Sequence, residues 1–159
     1  MNELVSIAER IAARLIERKQ TIAVAESSTG GLISAALLAV PGASAYFIGG
    51  GVIYTRDARR VLMDIPNEAM KGIRSASEPY AKLLASQIRA RLATDWGLSE
   101  TGAAGPAGNR YGDAAGHSCM ALAGPMDAAI TLETASCDRQ ANMQAFAKAA
   151  LNLLLENLQ

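Results

Sequence analysis

Glu26-Ser27-Ser28-Thr29-Gly30-Gly31 puts an acid, three consecutive hydroxyls and two glycines directly after an uninterrupted apolar run ending at Ala25. Leu32 to Leu38 then resumes with helical spacing. Strand, small polar turn and helix is the arrangement with which α/β proteins bind anions. The first helical turn offers unpaired N–H groups and the positive end of the helix dipole. Glycines admit positive φ and close backbone approach, and hydroxyls cap the helix or bond a ligand. The other reading of the same residues is a well-capped turn with no ligand. A second small-residue stretch, Thr101 to Gly108, is too long for a hairpin turn. There Thr101 and Gly102 offer a hydroxyl and backbone donors to an oxyanion or phosphate. His117 is the only imidazole and has no partner in sequence, which favours a hydrogen-bonded strand residue over a base. Cys119 and Cys137 lie far apart and cannot complete a usual zinc set with one histidine, so no metal is expected.

The elements that must position these residues follow from periodicity. Residues 2–19 form an amphipathic helix with Leu4, Ile7, Ala8, Ile11 and Leu15 on one stripe. Strands are predicted over 21–25, around 46–54, over 96–100, 117–123 and 128–134, with Gly49 to Gly51 as a bulge or a close backbone approach. Helices are predicted over about 30–39, 56–62 capped by Thr55, 78–93 opened by Ser77-Glu78-Pro79, and 140–158, and Pro66 starts a short helix at its first position. Tyr80, Leu83, Leu84, Ile88 and Leu92 mark the inner face of the 78–93 helix. Strands alternating with helices imply a three-layer α/β/α sandwich with a mixed, mostly parallel sheet, formed as one domain over residues 1–159.

Half the residues are apolar (50%) and 19% are charged, which excludes disorder. Fifteen Lys+Arg balance fifteen Asp+Glu, which argues against a broad basic surface for nucleic acid. No apolar run is long enough to span a membrane, the N-terminal residues lack a signal-peptide layout, and the separated cysteines read as reduced thiols. A cytoplasmic protein is the expectation.

Several segments, taken in order, resemble the CinA C-terminal domain family. They are Ala25 to Gly31, Val40-Pro41-Gly42-Ala43-Ser44-Ala45, Tyr54-Thr55-Arg56-Asp57-Ala58, Ser77-Glu78-Pro79 and Thr101 to Pro106. In that family they read approximately AESCTGG, VPGSSA, YSNEAK, VSE and SGIAGP. The resemblance implies an α/β/α fold, a homodimer, and an amidase that hydrolyses nicotinamide mononucleotide to the acid and ammonia through a serine and a lysine. The implied ligand is thus a small phosphorylated nucleotide, with no cofactor. The match puts the nucleophile at Ser44, whose other reading is a turn cap after Pro41-Gly42. Tyr54 takes a polar role near the site, and Ser27 joins the catalytic set. The family lysine falls on Arg59. A guanidinium keeps its proton and cannot act as a general base, although its planar fork can hold a phosphate or carboxylate. Arg56 and Arg60 beside it read as a solvated face. Glu26, Ser28 (a cysteine in the family), Thr29, Gly30, Gly31, Thr101, Gly102 and Arg139 form the implied binding set. A lysine-proline-valine-glycine run of the family appears here as Asp113-Ala114-Ala115-Gly116. The resulting expectation is a weak or altered amidase, or alternatively a domain that binds a nucleotide or small anion without turnover.

Overall fold

Ile22 and Val24 face one way along the first strand, Ala23 and Ala25 the other, and all four are fully buried. A strand covered on both faces needs helices on both sides. The computed structural model, which describes residues 1–159, has that arrangement. Its elements in chain order are α1 (Asn2–Arg18), β1 (Ile22–Glu26), α2 (Leu32–Leu38), β2 (Phe47–Val52), α3 (Arg56–Met63), α4 (Glu78–Leu92), β3 (Trp96–Ala103), β4 (His117–Ala123), β5 (Ala128–Glu133) and α5 (Arg139–Asn157). The five strands form a mixed sheet in the order β2-β1-β3-β4-β5. β1 pairs in parallel with both β2 and β3, whereas β3–β4 and β4–β5 are antiparallel.

On one face, Ile22, Val24, Trp96, Leu98, Met120 and Leu122 pack with α1, α2 and α5 through Leu4, Ile11, Leu15, Ile33, Phe146, Leu151 and Leu154. On the other, Ala23 and Ala25 meet Met63, Tyr80, Leu84 and Ile88 of α3 and α4, while Cys119, Ala121 and Ala123 meet Ala81 and Ala85. The second face is built from small residues, so α4 lies close on the sheet. A Cβ on Gly97 would stand 2.1 Å from the Ala85 carbonyl oxygen. Gly50 is a close approach of the same kind, since a Cβ there would lie 2.5 Å from Ser34 Oγ. The β1–β2 register also shifts between Ile22 and Ala23.

The helix caps follow the sequence. Thr55 Oγ1 accepts the Ala58 N–H at 3.1 Å and Ser77 Oγ accepts the Tyr80 N–H at 3.3 Å. Three local expectations change. Leu92 is exposed at the last turn of α4. Pro66 precedes a 3-10 turn (Asn67–Met70) as its cap rather than opening a helix. Finally, β3 continues to Ala103, so Thr101 and Gly102 are strand residues opposite Cys119 and Ser118.

Candidate functional site

The parallel strands β1, β2 and β3 all end on one side of the sheet. The β1–β2 connection runs through α2 on one face, and the β2–β3 connection through α3 and α4 on the other. Such a divergence opens a crevice beyond the carboxyl ends of the strands. A cleft of about 320 Å³ lies there, lined by Ser27 after β1, Ile53 and Tyr54 after β2, Arg56 and Arg59 of α3, Ser75, Ala76, Tyr80, Thr101 and Gly102 of β3, and Asn109 to Tyr111. An adjoining lobe of about 300 Å³ shares Arg56, Arg59, Ser75 and Tyr111, and adds Asn67, Met70 and Ile73. Neither is lined by a carboxylate.

Five of the twelve expected residues line this cleft: Ser27, Tyr54, Arg59, Thr101 and Gly102. Arg139, the first residue of α5, adjoins it by donating to Tyr54 Oη at 3.2 Å and to the Gly105 carbonyl. Ser44 does not join them. It lies exposed in a 3-10 turn before β2, and the carbonyl of Tyr46, which caps that turn, accepts the N–H of Ile22 at the start of β1. The six residues of β2, at about 3.3 Å each, put about 20 Å between Ser44 and the cleft.

The first turn also differs from the expected anion site, because its donors are already taken. Glu26, fully buried, turns its carboxylate onto the start of α2. It accepts the N–H groups of Gly31 (2.9 Å), Ile33 (3.1 Å) and Ser34 (2.9 Å), and the hydroxyls of Thr29 (2.6 Å) and Ser34 (2.8 Å). Glu100, equally buried on β3, accepts the N–H groups of Ser27 (3.1 Å) and Thr29 (3.0 Å) and the hydroxyls of Ser28 (2.5 Å), Thr29 (3.0 Å) and Ser118 (2.9 Å). Burial raises the Glu100 carboxyl pKa and these hydrogen bonds oppose the rise. Glu26, Ser28, Thr29, Gly30 and Gly31 therefore stand behind the cleft and hold Ser27 at its floor. Ser28, a cysteine in the family pattern, is one of the residues that donate to Glu100.

Arg59 is 6% exposed and forms no ion pair. One terminal nitrogen donates to Asn67 Oδ1 at 3.2 Å, the guanidinium lies 5.8 Å from the Tyr80 ring centroid, and Nε has no partner. Sequence reasoning missed Arg56, which was assigned to a solvated face, together with Ser75 and Asn109 to Tyr111. Their only sequence signal is the position of Arg56 two residues after Tyr54 and the change from the family pattern at Asp113 to Gly116. Asp113, where the family has a lysine, binds Arg74 through both carboxylate oxygens and so anchors that loop. The Tyr111 ring contacts both the Arg74 guanidinium (5.7 Å from its centroid) and that of Arg110 (5.3 Å).

His117 ties this wall together. Nδ1 meets Glu133, and Nε2 meets the Ala76 carbonyl at 2.7 Å with Asp113 3.7 Å away. Both ring nitrogens face acceptors, which calls for the imidazolium. Burial alone would lower the His117 pKa, but Glu133, the Ala76 carbonyl and Asp113 raise it overall. A raised folded pKa makes its stabilisation complete below the unfolded value, about 6.5, and progressively lost as pH climbs through the folded one. The unfolding midpoint should fall over that range, and His117→Gln should flatten the fall in a thermal melt series. A profile unchanged by that substitution would assign the loss to other groups.

The sequence matches the family model of the CinA C-terminal domain over residues 4–158. The chain belongs to the CinA C-terminal domain family. A CinA-like protein of Gloeobacter violaceus is 42% identical over 120 residues, covering 76% of this chain and 28% of that protein. One from Chlorobaculum tepidum is 37% identical over 159 residues, covering 97% and 38%. The chain thus spans about a third of the length of the curated CinA-like relatives it matches. The crystal structure of a CinA superfamily protein from Klebsiella pneumoniae superposes with a TM-score of 0.91 at 26% identity, covering 98% of this chain and 97% of that one. A competence/damage-inducible protein of Agrobacterium tumefaciens gives 0.91 at 26% identity, covering 98% and 96%. The α/β/α fold read from the sequence is the fold of these CinA proteins. No helix of the chain is long and apolar enough to cross a membrane.

Proposed function

We propose that this CinA domain is a slow amidohydrolase acting on the carboxamide of a small phosphorylated pyridine nucleotide, nicotinamide mononucleotide being the type substrate. The observation that carries this reading is the convergence of Ser27, Tyr54, Thr101 and Gly102, from three separate motif segments, on one carboxylate-free cleft. Ser27 Oγ is the attacking group in this reading, because its backbone is fixed through Glu100 and it lines the cleft. Oγ adds to the amide carbon, its proton passes to the leaving nitrogen, and water then releases the acid from the acyl-serine. The oxyanion donors come from the β3 side, around Thr101 and Gly102. The Ser27 N–H is held by Glu100 and the Gly30 N–H by Ser27 O at 3.1 Å, so neither contributes. Arg56 and Arg139 carry the phosphate at the rim.

A second reading, ligand binding without turnover, is favoured by Arg59, which stands where the family pattern has lysine and keeps its proton. The open edge of the sheet at β2, with Ile48 and Val52 exposed, supports the homodimer that the family resemblance implies. A soluble cytoplasmic setting with no nucleic-acid partner completes the proposal. Ammonia release from nicotinamide mononucleotide tests the site. Ser27→Ala should fall to the uncatalysed background while Ser44→Ala keeps the wild-type rate. The reverse pattern returns the nucleophile to Ser44, and no release by wild type leaves the binding reading.

A further inference from the structure

We propose that Arg59 makes this cleft select a ligand bearing a planar carboxylate over the same ligand bearing a neutral carboxamide. The inference rests on the reading that the cleft takes a pyridine nucleotide, and it reverses the preference a dedicated amide hydrolase would have. The other arginines beside the cleft, Arg56, Arg74, Arg110 and Arg139, are exposed to water. Arg74 is paired with Asp113, and Arg139 bonds Gly105 and Tyr54. Arg59 is the buried one, and it has only the neutral Asn67 amide oxygen and the face of Tyr80. A cation taken out of water without an anion is unfavourable, and an incoming anion reverses that.

No residue of the protein supplies such an anion. The two carboxylates nearest in sequence to the cleft floor, Glu26 and Glu100, are saturated with donors behind the Ser27 turn. The guanidinium packs against an aromatic ring, so its free donors lie in its own plane. Its natural counterpart is then a flat group with two acceptors in that plane. A carboxylate presents two acceptor oxygens to the fork and neutralises it. A carboxamide presents one oxygen, and its NH2 sets donors against donors. The acid that amide hydrolysis would release is therefore the better ligand, and the domain retains the product form or senses it.

The test is calorimetric titration with nicotinate mononucleotide and nicotinamide mononucleotide, which differ only at the carboxylate or carboxamide. A Ser27→Ala background prevents consumption of the amide. The acid should bind at least about tenfold more tightly, in line with the advantage of a charge-assisted over a neutral hydrogen bond. Arg59→Gln should bring the two affinities within about threefold. Thermal melts of each variant establish that it is folded. Equal affinities in the parent, or a gap that survives Arg59→Gln, overturn the proposal while leaving the nucleotide reading intact. Binding of neither nucleotide overturns that reading and this proposal with it.

Discussion

Arg59→Lys should raise ammonia release from nicotinamide mononucleotide by about 10²-fold or more in kcat/KM, because a positioned general base contributes about 10²–10⁴-fold. In the amidohydrolase reading the Ser27 hydroxyl proton passes directly to the leaving nitrogen, with no general base between them. Guanidinium stays protonated at every working pH, and the two nearby glutamates face away from the cleft. A lysine at this position would be buried, with Arg56 lining the same space. Both effects lower an ammonium pKa toward neutrality and yield a free amine able to take the Ser27 proton. The same argument makes the wild-type protein slower than a lysine-bearing relative measured alongside it. A rate for Arg59→Lys no higher than wild type would show that the base is another group, and a pH–rate profile would then locate it.

Glu100→Leu should lower unfolding stability by about 2–4 kcal/mol and abolish whatever activity Ser27 supports. The substitution removes an acceptor of five hydrogen bonds from a fully buried site. Two of the donors have alternatives: Ser118 Oγ already lies 3.2 Å from the Thr101 carbonyl, and Thr29 Oγ1 bonds Glu26. The N–H groups of Ser27 and Thr29 and the Ser28 hydroxyl do not. Each buried donor left unmet costs about 1–3 kcal/mol, and relief of burying a carboxyl offsets part of that sum. The pH dependence has a definite sign. A carboxyl whose folded pKa is raised contributes most below its unfolded value, and stability declines as pH rises from there through the folded value. Chemical denaturation of wild type and Glu100→Gln should therefore converge at acid pH. A Glu100→Leu protein as stable as wild type would mean that the turn repacks without this acceptor.

The strands and helices were legible because their signals are local. The stripe of α1, the hydroxyl caps at Thr55 and Ser77, and the Pro41-Gly42 stop all act within a few residues. The site was only half legible for the opposite reason. Thr29-Gly30-Gly31 carries every local mark of an anion-binding turn, yet a side chain five residues before Gly31 fills it. Nothing in the spacing distinguishes a glutamate that points at solvent from one that folds back over the helix start. Ser44 lies away from the cleft, which its motif could not indicate because a motif match carries no information about which end of a strand it precedes. Inside β3 the acid Glu100 reads in the sequence simply as a strand residue. Its meaning appears only when Ser27, Ser28, Thr29 and Ser118 are seen around it. The 107–116 wall is held by Arg74 and His117 across long sequence separations, beyond the reach of any local pattern.

The Arg59 guanidinium is buried against a neutral ring and an amide, so the folded chain carries a desolvated charge that the unfolded chain does not. Ligand and fold are coupled at that residue. Any anion that settles on Arg59 draws the folding equilibrium toward the native state in proportion to its concentration relative to Kd, by about 2.7 kcal/mol at a hundredfold excess. On the proposed role of Arg59, the lifetime of the protein among proteases would track the supply of its ligand.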